Sequence, residues 1–212
     1  MATAASDSDI TYALSKQFSI TFSPYEDRLV VSSDLGEHGT ATLLLTRRMT
    51  MIVLQQLLSK LPELTGLNKT PAQYWQEVLQ MAHQQAMQAK LQADQAQTGA
   101  DDESSSASTG DDAAKVESSS KPAIYLATEL TVQIQEGQLV LGFKGLPMPQ
   151  AMTTASAHVP VFATPLQTEH VHQLIELLIT KSQEAQWHLP LDLPWLENPK
   201  AQQTSLGLSS VH

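Results

Sequence analysis

The chain has 212 residues, of which 42% are hydrophobic and 16% charged, and its formal net charge is -10 at pH 7. This acidic balance argues against a nucleic-acid backbone as the main partner, because affinity for phosphates rests largely on Lys and Arg. The chain lacks cysteine, which excludes disulfides and Cys-ligated zinc and fits a cytoplasmic location, and it has no apolar run long enough to cross a membrane.

The first predicted folded unit covers residues 11–67, after a small, acidic N-terminus, 1–10, that we expect to be disordered. Apolar and polar residues alternate in Phe18–Phe22, which predicts a strand with one buried face. A turn and a second strand complete a hairpin, and the apolar run Ala41–Leu45 predicts a third strand buried on both faces. Thr46 can act as the N-cap of an amphipathic helix that follows.

A long connecting helix is predicted over residues 70–97, where Thr70 and Pro71 supply a helix start and good helix formers follow without a breaker. Its apolar residues lie along one side of the helix, named the seam, and their side chains become smaller towards the C-terminal end, where all are alanine. The seam consists of Trp75, Val78, Leu79, Ala82 and Ala86, followed by Ala89 and Ala93. Either its first turns pack on the rest of the protein, or the seam pairs with a second copy of the helix in self-association.

Residues 99–121 form an acidic, serine-rich segment with six acidic residues, two lysines and no aromatic residue or leucine. Such a segment cannot bury enough apolar surface to offset the entropy lost on ordering, so we predict a disordered linker. Its simplest role is a solvated tether, and the alternative role is a docking or phosphorylation segment.

The second predicted folded unit covers residues 123–196. Alternating apolar residues on both sides of the Glu136-Gly137 turn predict a hairpin. We expect Gly145–Ala157, rich in Met, Pro, Ala and Thr, to be a mobile loop, and Val159–Ala163 to be a third strand. Thr164, followed directly by proline, is predicted to cap the last helix.

The C-terminal segment Trp187–Leu196 places leucine and tryptophan between prolines, which predicts an extended chain and not a helix. It either crosses its own domain as a strap or binds a partner, with Trp187 and Trp195 as the candidate contact residues. We favour the strap, because so many exposed apolar side chains would form a large patch. Residues 197–212 are polar and are predicted to be a disordered tail.

The two units share one order of predicted elements, which is the main architectural signal in the chain. Residues Phe18–Leu61 and Leu130–Ile179 each predict three strands followed by a helix. A hand alignment places Thr46, Thr50, Val53 and Gln55 over Thr164, Thr168, Val171 and Gln173. The expected fold class is therefore α+β, with two similar βββα halves that form an internal pseudo-repeat and pack sheets against helices.

No motif for catalysis or cofactor binding is recognisable. The chain has no G-x-S-x-G elbow, P-loop or G-x-G-x-x-G sequence, and its acidic side chains sit mainly at predicted turns. His170 and His172 would share a face on a strand, but on the predicted helix they diverge by about 200°. We therefore assign no catalytic residue, no metal site and no cofactor.

Two groups of residues are weaker candidates for binding. Arg28, Arg47 and Arg48 could hold an anion at the start of the first helix, where backbone N–H groups favour negative charge. A ligand pocket between the halves would be lined by residues of the divergent loop and the strand after it, namely Met148, Met152, His158 and Phe162.

Three function classes are compatible with these patterns. We favour a non-catalytic interaction or assembly protein that binds a protein partner or itself, because the halves, the long helix and the apolar C-terminal segment come without a catalytic motif. The first alternative is a single-stranded nucleic-acid-binding protein, although few basic and aromatic side chains lie on the predicted strands. The second alternative is a small-ligand carrier or enzyme that uses the pocket between the halves.

Overall fold

The computed structural model describes residues 11–15, 17–67, 72–98 and 123–191. Six β-strands and three α-helices lie in this part of the chain, which confirms the α+β class. In chain order they are β1 (Gln17–Ser23), β2 (Arg28–Asp34), β3 (Thr40–Leu45), α1 (Arg47–Leu64), α2 (Trp75–Thr98), β4 (Ala123–Gln135), β5 (Gln138–Met148), β6 (Val159–Leu166) and α3 (Thr168–Glu184).

Several predictions concern other parts of the chain. The disordered segments predicted at 1–10, 99–121 and 197–212, and the contact residue Trp195, lie outside the described residues. Among the helices that are described, none has both the length and the apolar character needed to cross a membrane.

The six strands form one mixed sheet in the order β1-β2-β3-β4-β5-β6. Neighbouring strands are antiparallel except β3 and β4, which are parallel and pair from Ala41 with Ala123 to Leu44 with Leu126. A parallel pair needs a long crossover connection, and the chain between β3 and β4 contains α1 and α2. All six strands therefore belong to a single sheet.

One face of this sheet packs against α1 and α3. Two leucine pairs face each other across neighbouring strands on this side, Leu29 with Leu45 and Leu139 with Leu166. All four side chains are at most 4% exposed and belong to one hydrophobic cluster. The helices add their apolar sides to the same cluster, with Val53, Leu54, Leu57 and Leu61 from α1 and Val171, Leu174, Ile175 and Leu178 from α3.

The helix α1 begins as its sequence predicts. Thr46 has an extended backbone, and its Oγ1 accepts a hydrogen bond of 3.2 Å from the backbone N–H of Met49. This bond satisfies one of the amide groups that have no partner in the first turn of a helix. The predicted N-cap is confirmed.

The prediction that Thr164 caps the last helix was wrong. The strand β6 continues past it, and α3 begins only at Thr168. Thr164 lies opposite Leu141 and is 5% exposed, so its side chain faces the core. Pro165 fits the strand because β6 is last in the strand order, where a missing N–H is tolerated. The alignment of Thr46 with Thr164 therefore set a helix cap over a strand residue.

The prediction of a loop over Gly145–Ala157 was partly wrong, because β5 continues to Met148. Gly145 allows this continuation: a Cβ atom there would lie 2.8 Å from the carbonyl oxygen of Leu126 on β4. Only a residue without a side chain lets the two backbones pair so closely. A short 3₁₀ turn at Gln150–Met152 then leads towards β6.

The helix α2 packs along α3 with its first half and extends beyond it with its second. Leu79 and Ala86 are 9% and 1% exposed, and Nε2 of Gln173 on α3 donates a hydrogen bond of 3.3 Å to the carbonyl oxygen of Ala86. Residues 88–95, in contrast, are all exposed. The helix is thus held by its N-terminal turns.

Candidate functional site

The face of the sheet opposite α1 and α3 carries a row of apolar side chains, named the apolar strip. It consists of Val30, Leu44, Leu126 and Leu146, which are cross-strand neighbours on β2, β3, β4 and β5, and of Ile124 with its neighbour Met148. None of the six belongs to the cluster that packs against the helices. Because successive residues of a strand point to opposite faces, these side chains lie together on the helix-free face.

The apolar strip is buried at its centre and exposed to solvent at one end. Leu44 is 6% exposed, whereas Ile124 is 40% exposed. Val30, Leu126, Leu146 and Met148 are half-buried. None of the described helices covers this face, and apolar side chains gathered on such a face are typical of surfaces that bind another protein.

A carboxylate, an imidazole and an ammonium group meet at one border of the strip, in a set named the charged cluster. Oε2 of Glu129 lies 3.2 Å from Nζ of Lys144, and Oε1 lies 2.9 Å from Nδ1 of His158. Oγ1 of Thr128 is 3.4 Å from the same ring nitrogen. The hydrogen bond from His158, followed by that from Lys144, holds the pKa of the Glu129 carboxyl below its usual value.

Two irregularities in neighbouring strand pairs build the charged cluster. The pairing shifts between Ala127 and Glu129 on β4 and between Phe143 and Lys144 on β5. Such bulges turn side chains to new directions and often lie beside functional sites. The result is an ion-pair network in which Glu129 contacts both Lys144 and His158.

A polar groove of about 390 Å³ borders the strip on its other side. Its polar lining consists of Gln17, Ser19, Ser32, Ser33, Asp34, Thr40 and Thr42. Thr42 lies directly opposite Ile124, which joins the groove to the open end of the strip. The apolar strip is therefore flanked by hydrogen-bonding groups on both sides.

The residues predicted to line a ligand pocket are spread over three environments. Phe162 is 1% exposed and lines an internal cavity of about 20 Å³ whose lining includes no titratable side chain. A cavity of this size holds at most about one water molecule. Met148 belongs to the apolar strip and His158 to the charged cluster, while Met152 is 73% exposed. The fold does not gather these four side chains around one cavity.

The three arginines of the predicted anion site lie near one end of α1. Arg47 and Arg48 are its first two residues and are exposed. Arg28 is half-buried and precedes Leu29, whose cross-strand partner Leu45 lies just before the helix. The register thus brings the backbone of Arg28 near the start of α1, while strand alternation places its side chain on the face of Val30, and anion binding there stays a prediction.

The predicted self-association seam faces α3 over most of its length. Leu79 and Ala86 are buried, and Trp75, Val78 and Ala82 are half-buried. Pairing through these residues would therefore require α2 to leave α3. Self-association through the seam stays a prediction.

The described part of the C-terminal segment is packed against its own domain. Trp187 is 3% exposed, and its Nε1 donates a hydrogen bond of 2.6 Å to Oδ1 of Asp27. Its ring packs edge-on against that of Phe22, and Leu189 and Leu191 also pack against the core. Trp187 is consequently not available to a partner in this arrangement.

A second polar cluster lies between α2 and α3. The ring centroids of His83 and His172 are 5.7 Å apart, and Nε2 of His83 is 3.6 Å from Oε2 of Glu176. Burial, reinforced by the neighbouring His83, lowers the pKa of His172 to about 4. Burial also lowers the pKa of His83, against an opposing effect of Glu176. His170 is exposed, and the described residues contain no group of three or more His, Cys, Asp or Glu placed to hold a metal ion.

Sequence reasoning missed both the apolar strip and the contact between His83 and His172. A signal for the strip was present, because Leu43–Leu45 and Ile124–Ala127 are continuous apolar runs, as expected for strands with apolar groups on both faces. No local pattern could place His83 beside His172, because the contact depends on how two separate helices pack.

Comparison of the chain with protein-family models, curated proteins and solved structures gives no match.

Proposed function

We propose that this chain is a non-catalytic interaction or assembly protein that binds a protein partner, or a second copy of itself, through the apolar strip. The observation that carries the proposal is the position of the strip on the helix-free face, with Ile124 40% exposed. Burying such side chains on association contributes roughly 25 cal/mol for each Å² of apolar surface removed from water.

The surroundings of the strip match the anatomy of a protein interface. Such interfaces combine an apolar centre with a polar rim that supplies hydrogen bonds and specificity. The charged cluster forms one border and the polar groove forms the other. A partner with complementary hydrogen-bonding groups around an apolar patch would fit this arrangement.

The charges favour a protein partner over a nucleic acid. The six strands contain two cationic side chains, Arg28 and Lys144, and Lys144 is paired with Glu129. Binding to single strands normally combines several cations with aromatic rings on which bases stack. The side chains of the strip are aliphatic, so they offer no such stacking surface.

We infer that the scaffold consists of two related βββα units, β1 to β3 with α1 and β4 to β6 with α3. The equivalent leucine pairs, Leu29 with Leu45 and Leu139 with Leu166, support this inference. When the alignment that places Leu45 over Leu166 is extended into the helices, buried residues of α1 align with buried residues of α3. This alignment sets Thr50, Val53, Leu54, Leu57 and Leu61 over Val171, Leu174, Ile175, Leu178 and Ser182.

The centre of the strip then lies where the two units join, because Leu44 and Leu126 are neighbours across β3 and β4. A duplicated scaffold would create this surface only when both units are present in one sheet. A cytoplasmic location belongs to the same proposal and fits the absence of cysteine.

The test introduces charge at the open end of the strip by Ile124→Glu and Met148→Glu, singly and together, in the full chain. Light scattering measures self-association, and capture from the native cell followed by cross-linking measures partner binding. We expect the double variant to weaken association by about tenfold or more, because a buried unpaired carboxylate is costly. Circular dichroism checks that the variants are folded.

Met81→Glu and Met152→Glu are the matched controls, since these methionines are 67% and 73% exposed and lie outside the strip. Both should associate like the unsubstituted chain. A double strip variant that retains full association, or an unsubstituted chain that neither self-associates nor captures a partner, would contradict the proposal.

A further inference from the structure

The contact between α2 and α3 consists of apolar side chains on either side of two central histidines. His83 on α2 is 9% exposed and His172 on α3 is 1% exposed, and these two residues are named the histidine pair. Leu79 and Ala86 bracket His83 on the same side of α2 and are also buried. Two imidazoles from different helices therefore share one buried interface.

The other ionisable groups on these two helices lie mostly at the rim of the interface. On α3, Glu176 approaches His83 to 3.6 Å, whereas Glu169 and His170 are exposed. On α2, Glu77, Lys90 and Asp94 are exposed. Lys181 and Glu184 of α3 form an ion pair of 2.6 Å with each other. Glu176 therefore lies at ion-pair distance from one member of the histidine pair, His83.

The elements packed on the rest of α3 bring little charge to this interface. On α1 the ionisable residues are Arg47, Arg48, Lys60 and Glu63, and the last two form an exposed ion pair of 3.1 Å with each other. The strands β1, β5 and β6 also contact α3. Their charged side chain, Lys144, lies on the opposite face beside Glu129.

We propose that α2 docks on α3 only while the histidine pair is neutral, and that protonation of the pair releases α2. A charged imidazole at this position loses most of its hydration, and a second charged ring 5.7 Å away would repel it. Release returns both rings to water. The sheet is built from β1 to β6, so release of α2 would break none of its strand pairs, although it would expose Leu79 of the core cluster.

The direction of the pH effect follows from the pKa of His172. It is about 4 when α2 is docked, because of burial and the nearby His83, and returns to about 6.5 when the ring is exposed. The released form therefore binds the proton more tightly. Docking is therefore strongest above pH 6.5, and the ratio of released to docked α2 rises by up to about tenfold per pH unit between about 6.5 and 4.

We expect about one proton to be taken up on release. Glu176 stabilises a charge on His83 and so offsets part of the effect of burial there, while burial is the main cause at His172. Release also uncovers Leu79 and Ala86, which belong to the predicted self-association seam. Acidification would thereby open a second apolar surface, independent of the apolar strip.

Hydrogen exchange of the full chain, corrected for the intrinsic rate at each pH, tests the proposal. Protection factors of amides in residues 79–86 should fall about tenfold per pH unit below 6.5 and should stay well below those of Leu29 and Leu141 in the sheet, which exchange only when the whole fold opens. His172→Gln should remove the pH dependence. His170→Gln, an exposed histidine on the same helix, is the matched control and should leave it unchanged.

Protection factors in 79–86 that do not vary with pH, or that fall equally in His172→Gln, would overturn the proposal. A measurement on the unsubstituted chain covers the case in which His172→Gln does not fold. The ring C–H signal of His172, followed by NMR, should show a neutral imidazole down to about pH 5. Titration of this ring near pH 6.5 with α2 still protected would equally refute it.

Discussion

The indole Nε1 of Trp187 donates a hydrogen bond of 2.6 Å to Oδ1 of Asp27, which fastens the end of α3 to the turn between β1 and β2. Asp27 adopts a φ of 51°, a left-handed conformation that asparagine also tolerates. The Trp187 side chain is 3% exposed and packs edge-on against Phe22. This hydrogen bond thus links the segment that follows α3 to the β1–β2 turn.

Asp27→Ala should lower the free energy of unfolding by about 1–3 kcal/mol, because the buried indole N–H loses its acceptor and alanine disfavours a positive φ. Asp27→Asn retains both an acceptor oxygen and a tolerance for this backbone, so its loss should be smaller. Urea unfolding followed by circular dichroism measures both values. Equal stability of the alanine and asparagine variants would show that the hydrogen bond contributes nothing.

Acid should destabilise the whole fold through His172. Its pKa of about 4 in the folded chain lies below the ordinary value of about 6.5. Its contribution is therefore fully present above pH 6.5 and is lost as the pH falls, by at most about 1.4 kcal/mol per pH unit. The difference in unfolding free energy between the unsubstituted chain and His172→Gln, measured from pH 7.5 to 4.5, should shrink accordingly.

His170→Gln separates this effect from general loss of charge, because His170 is exposed on the same helix. Its stability should follow that of the unsubstituted chain at every pH. A difference between the unsubstituted chain and His172→Gln that stays constant over the whole range would argue against a neutral, buried His172.

Gly145→Ala should lower the free energy of unfolding by about 1–3 kcal/mol through overpacking. The new Cβ would lie 2.8 Å from the carbonyl oxygen of Leu126, a backbone atom that cannot move without disturbing β4. At Gly142 the nearest atom belongs to the Tyr12 ring, at 3.2 Å, and a side chain can give way. Gly142→Ala should therefore be milder, and thermal unfolding of the two variants gives the comparison.

The sequence predicted those elements whose signals are local. Alternation in Phe18–Phe22 and the cap at Thr46 correctly indicated β1 and α1. Thr164 carried an equally good cap pattern, yet its pairing with Leu141 in β6 prevailed over that local preference. The loop prediction failed at Gly145 because the close approach of β4 is a tertiary feature. A local sequence pattern therefore determines the secondary structure only where tertiary packing favours the same conformation.

The candidate sites depended still more on tertiary structure. The apolar strip requires β3 and β4 to be neighbours, and the acidic segment 99–121 separates them in the chain. The charged cluster requires two shifts of register, which bring Glu129 to both Lys144 and His158. Strand order and register are set by the whole hydrophobic core, so residue spacing could not reveal these contacts.

One sheet and one core predict a single unfolding transition for both βββα units. Leu29 and Leu139 are 0% exposed and lie in the same hydrophobic cluster, so either should be needed for the whole structure. Leu29→Ala and Leu139→Ala should each cost about 2–5 kcal/mol. Circular dichroism and tryptophan fluorescence should report the same midpoint in both variants. Two separated transitions, each sensitive to one of the substitutions, would instead mean that the units fold independently and that the sheet between β3 and β4 is a weak contact.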